Sequence, residues 1–65
     1  MKYSLVGVDG NAFALMGYTQ LAMKAEGFTD SDIDDMMDEA MSGNYNNLIC
    51  VCDSWIRKCN EKAEG

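Results

Sequence analysis

The chain reads as α+β: one N-terminal strand followed by three helices, with the strand paired across a homo-oligomer interface. Three observations predict this. Lys2 to Val8 carries apolar residues on both faces and is rich in Val and Tyr, as a strand would be. From Ala12 onward, apolar residues recur at spacings of three and four in three separate runs, which is the helical period. Only Leu48–Cys52 also has strand-like composition. It lies inside one of the helical runs, so the first strand finds no sure neighbour in its own chain.

In the first element, Tyr3, Leu5 and Gly7 point one way and Ser4, Val6 and Val8 the other. Ala12 to about Glu26 is the first helix, with Asn11 or Asp9 as N-cap and Gly27 as the glycine beyond its end. Ala14, Leu15, Gly17, Tyr18, Leu21, Ala22 and Ala25 form a broad apolar face. Ala12, Met16 and Met23 form a narrow second stripe, with Thr19 and Glu26 dividing the two on one side. A surface helix needs one stripe. Two stripes predict a helix packed on its own core and on a partner chain, or a central helix within a monomer.

The second helix starts at Thr29, with Asp32 at its third position and Phe28 and Ile33 placed as a hydrophobic staple. Ile33, Met36, Met37, Ala40 and Met41 form its apolar stripe, and Asp32, Asp34, Asp35, Asp38 and Glu39 its acidic face. Ser42-Gly43 ends it. Asn44 caps a third helix whose stripe runs Tyr45, Leu48, Ile49, Cys52, Trp55, Ile56, Cys59. A strand over Leu48–Cys52 is the alternative there.

With 65 residues the chain is one domain. A chain this short buries only about 60% of its unfolded surface and gains from a partner, a metal or disulfides. Three cysteines are an odd number, and no secretion signal precedes them, which points to a reducing cytoplasm. Cys52 and Cys59 share a helical face but lie about 10 Å apart along it, too far for a bridge. They read as core residues, with Cys50 off the stripe. Without histidine, neither a zinc site nor the usual general base is in sight. The expectation is no enzyme, no metal and no cofactor. The net charge of −6 disfavours binding to a DNA or RNA backbone, and no apolar run is long enough for a membrane. A homodimer or higher symmetric oligomer is the expected source of extra stability.

One stretch has the character of a site. Gly7 and Gly10 flank Val8-Asp9, and Asn11, Ala12 and Phe13 follow. A glycine turn entering a helix leaves free amides that favour an anion. Phe13 and Tyr18 could stack on a base, Asn11 could read its edge and Asp9 could accept from a ribose. The expected ligand-binding residues are Gly7, Asp9, Gly10, Asn11, Ala12, Phe13 and Tyr18, and the expected ligand is a small nucleotide. The plainer reading is a tight connection that needs glycine backbone angles. The turn lacks the third glycine of a dinucleotide fingerprint and the lysine of a P-loop. The acidic face of the second helix supports a different function, an inhibitor that occupies a basic protein groove, or it is a solvated face.

The run Lys2-Tyr-Ser-Leu-Val-Gly-Val-Asp-Gly-Asn-Ala-Phe-Ala-Leu-Met-Gly-Tyr18, with Ala22-Met23 and Ser42-Gly-Asn-Tyr-Asn46, resembles a family of small bacteriophage and mobile-element proteins. The resemblance covers nearly the whole chain. It implies a bacterial host cell as the setting. Small phage proteins of this kind resemble counter-defence factors, and several such groups are oligomeric sponges for cyclic nucleotide immune signals. By that analogy the chain would sequester such a signal. The alternative is an acidic inhibitor of a host defence or nucleic-acid-binding protein.

Overall fold

The computed structural model describes residues 1–65, and it is all helical. The helices are α1 (Ala12–Ala25), α2 (Asp30–Ala40) and α3 (Tyr45–Glu64). There is no strand and no sheet, which corrects the α+β expectation. The reason lies in how residues 2–8 satisfy their backbone. Asn60, buried on α3, accepts from the Tyr3 N–H through Oδ1 at 2.8 Å and donates from Nδ2 to the Tyr3 carbonyl at 2.9 Å. One carboxamide thus makes the pair of bonds that a neighbouring strand would make. The Tyr18 hydroxyl accepts from the Ser4 N–H at 3.0 Å. Residues 5–8 then turn, with the Val8 N–H on the Leu5 carbonyl and Gly7 at φ 87°. The segment is a strap laid across α1 and α3. With no strand in residues 2–8, the expected pairing of that strand with a second chain is overturned.

Each helix begins and ends where local chemistry places it. Asn11 caps α1 by accepting from the Phe13 N–H. At its other end the Phe28 N–H bonds the Met23 carbonyl and the Gly27 N–H the Lys24 carbonyl, with Gly27 at φ 82°. This is the double bond pattern of a Schellman end, which needs a left-handed residue. Thr29 and Asp32 close a reciprocal capping box on α2. Asn44 caps α3, and the Asn47 side chain donates to the Glu39 carbonyl at 2.8 Å, tying the end of α2 to the start of α3. Leu48–Cys52 is helical, because its side chains continue the stripe that packs Leu48, Cys52, Ile56 and Cys59 inward.

Two apolar layers stack along the helices. Ala22, Met23, Ile33, Met36, Ile56 and Cys59 form one, and Leu15, Met16, Ala40, Leu48 and Cys52 the other. The buried face of α1 is not the one its sequence suggests. It comprises Leu15, Met16, Thr19, Ala22 and Met23, which takes the narrow stripe inward and leaves Leu21 70% exposed. Thr19 sits fully buried at the middle of that face, not at its margin. Its hydroxyl donates to the Leu15 carbonyl at 2.8 Å, which removes the cost of burying it. The Cα atoms span 32 × 27 × 14 Å. The short third dimension makes the molecule a flattened slab.

Candidate functional site

The turn that the sequence singles out lies at one end of this slab, where α1 starts, α2 stops and α3 starts. Its polar groups are committed to building it. Asp9 Oδ1 accepts from the Asn11 N–H at 2.9 Å, and Asn11 Oδ1 from the Phe13 N–H at 2.9 Å. The Tyr45 hydroxyl donates to the Gly10 carbonyl. A Cβ at Gly10 would lie 3.4 Å from that hydroxyl oxygen. Gly7 serves the separate strap turn. Tyr18 is not part of this end: its ring packs in the layer of Met23 and Ile56 and its hydroxyl holds the strap. Of the expected residues, the structure brings together Gly10, Ala12 and Phe13, with Asp9 and Asn11 beside them as exposed turn residues.

What surrounds them is apolar. Ala12, Phe13, Met16, Met41, Tyr45 and Leu48 line an open hollow of about 320 Å³. On the other side of Tyr45, Leu5, Val6, Val8, Gly10, Leu15 and Ile49 line a second one. Val6, Phe13, Met41, Tyr45 and Ile49 are all exposed large hydrophobic residues of the molecule. Contiguous exposed apolar surface of this kind marks an interaction site more often than scattered residues do. Met41, Tyr45 and Ile49 were absent from the sequence-based site. Their signal was positional: each sits where its apolar stripe runs past the end of the packed core.

Charge divides the slab. None of the five cations, Lys2, Lys24, Arg57, Lys58 and Lys62, lines either hollow, although Arg57 lies beside Leu5 and Val6 at the edge of the second. Lys2 bonds Glu26 at 3.5 Å, and Lys62 lies 4.6 Å over the Phe28 ring. Lys58 lies 4.0 Å over Trp55, and Arg57 pairs with Asp53 at 3.0 Å. Asp9, next to Gly10, and Asp38 and Glu39, in the last turn of α2, are exposed. No salt bridge engages them.

The Tyr3 hydroxyl donates to Glu26 Oε2 at 2.5 Å. That bond, joined by the charges of Lys2 and Lys62, holds the Glu26 carboxyl below its ordinary range. The bond to Glu26 also raises the Tyr3 phenol. Burial pushes the Cys52 and Cys59 thiols up, away from nucleophilic use. No three His, Cys, Asp or Glu side chains are grouped to hold a metal ion. No helix is long and apolar enough to cross a membrane. Comparison with family models, curated proteins and solved structures gives no match.

Proposed function

We propose that the chain is a non-catalytic binding protein that takes up a basic amphipathic segment of another protein at the end formed by Phe13, Met41, Tyr45 and Ile49. The observation that carries this reading is the combination at that end: apolar hollows on both sides of Tyr45, no cation in the lining of either, and exposed carboxylates at Asp9, Asp38 and Glu39. Apolar surface supplies most of the affinity of such a contact. The carboxylates steer a positively charged partner and disfavour acidic ones. Methionines at Met16 and Met41 give the hollow a deformable lining that suits a helix laid into a groove. In the setting implied by the phage resemblance, the partner is a basic host protein, as in the inhibitor reading.

The test uses a synthetic helical peptide of leucine and lysine at amphipathic spacing, with a leucine–glutamate peptide of the same pattern as control. The expected result is binding of the basic peptide alone. Amide shifts should centre on Phe13, Met41, Tyr45 and Ile49, and affinity should fall as salt rises. Met41→Lys should weaken binding by about tenfold or more. Equal binding of both peptides, or shifts centred on the far half of α3, would refute the reading.

A second reading rests on Phe13, whose ring is 77% exposed beside the first turn of α1. There it could stack on a base while helix-start amides face a phosphate, and the protein would sequester a nucleotide such as a cyclic immune signal. Calorimetry with cyclic di- and trinucleotides separates the two. Heat that is lost in Phe13→Ala but kept in Met41→Lys favours the nucleotide.

A further inference from the structure

Helix α1 has an outer face that the fold leaves uncovered. Away from the core, Phe13, Gly17 and Leu21 follow one another at intervals of four, flanked by Ala14 and Ala25. Lys24 is the only charged side chain on the helix. Gly17 is the informative residue. Glycine inside a helix weakens it relative to alanine, so a reason for it is expected. Its φ is not positive, and a Cβ built there meets nothing within 4 Å. Nothing within the chain requires a missing side chain at this position. A missing side chain lets another backbone come close, and no backbone of this chain does so there.

We infer that α1 packs against α1 of a second copy of this chain, antiparallel, about a two-fold axis at Gly17. This surface meets the peptide-docking hollow at Phe13, and the inference does not rest on that reading. With the axis at Gly17, Phe13 of each copy meets Leu21 of the other, so both large exposed side chains are covered by one operation. The glycines at the crossing allow the axes to approach to the short end of the usual 8–10 Å range. Charge selects the direction. The antiparallel register sets Lys24 against the turn at Gly10, beside Asp9 of the other copy. A parallel register would set Lys24 against Lys24 and Asp9 against Asp9, which is repulsive. The area sets the strength. A strip of about 21 Å of helix buries less than the ~800 Å² a side of a standard interface. The dimer is therefore a weak one that dissociates on dilution.

Sedimentation equilibrium on the full chain, from roughly 10 μM to 1 mM, tests this. The expected result is a mass that rises with concentration from 7.2 kDa to twice that value. Leu21→Lys should stay monomeric across the range with unchanged helical circular dichroism. Gly17→Ala distinguishes an interface from a local structural role. It should raise the melting temperature, because the new Cβ meets only open space, and weaken dimerisation by about tenfold. Lys24→Glu should weaken the dimer, and Asp9→Lys combined with Lys24→Glu should restore it. Met41→Lys, which removes peptide docking, should leave the dimer intact. A parent chain that stays monomeric at the highest concentration would overturn the inference. So would a mass beyond the dimer, parent-like dimerisation of Leu21→Lys or Gly17→Ala, or a charge-swapped double variant no better than Lys24→Glu alone.

Discussion

The two ends of the slab are built to opposite specifications. At the end where Gly27 turns the chain, apolar surface is capped: Phe28 stands edge-on to Trp55 at 5.5 Å, and Lys58 and Lys62 lie over those two rings. The strap closes the adjoining side through Asn60 and Glu26. At the other end, Tyr45 bonds Gly10 but leaves open hollows on both sides. The same residue types, aromatic rings and methionines, are sealed in one place and offered in the other. The difference separates what holds the fold from what is free to bind.

The largest contrast should appear between Met36 of α2 and Met41, the residue that caps its C-terminus. Met36 is fully buried and Met41 is 62% exposed. Met36→Ala removes core volume and should cost about 2–5 kcal/mol, enough to leave so small a domain largely unfolded. Met41→Ala should change stability by less than about 0.5 kcal/mol while weakening peptide docking. Urea midpoints of the two variants measure this, and equal midpoints would erase the division.

Next in size is the strap. Asn60→Ala leaves the Tyr3 N–H and carbonyl without partners and should cost about 1–3 kcal/mol. Hydrogen exchange should show the Tyr3 amide losing protection while α2 amides keep theirs at low denaturant. A uniform loss across all three helices would mean that the strap and the bundle are one cooperative unit.

The smallest effect is a pH dependence confined to the strap. The Glu26 carboxyl is held below its ordinary value, first by the Tyr3 hydroxyl. It stabilises the folded strap when charged, so that contribution is whole above the ordinary carboxylate range and is lost as pH falls through the depressed value. The Tyr3 phenol is raised above 10.0, so its contribution is present below that value and is lost as pH rises through the raised one. The strap should loosen at both extremes. Tyr3→Phe should flatten both limbs in a pH series of strap amide exchange.

How much of this was legible in the sequence depended on distance along the chain. The caps at Asn11, Thr29 and Asn44 each bond a backbone group two or three residues on, so a short window contains both partners. The Gly27 stop was readable for the same reason. The strap was not, because the partner of Tyr3 is 57 residues away. Composition alone gave Lys2–Val8 a strand's character, and no local signal shows that one buried asparagine can stand in for a neighbouring strand. Thr19 misled for a related reason. Its polarity marked an edge, whereas the Leu15 carbonyl one turn back satisfies its hydroxyl and leaves a small side chain for the core. At the candidate site, the turn was found because it is contiguous in sequence. Met41 and Tyr45 were missed because only the folded chain brings them to Phe13.

The Tyr3–Asn60 pairing also sets an order of events during synthesis. The strap leaves the ribosome before the three helices, and the carboxamide that seats it follows 57 residues later. Until Asn60 emerges the strap has no seat, and its Val- and Tyr-bearing backbone is exposed as the chain grows. The helices can close their own hydrogen bonds as they emerge, since their contacts are local. The strap is thus made before the helices and placed after them, and any chain that stops short of Asn60 carries an unseated strap for as long as it persists.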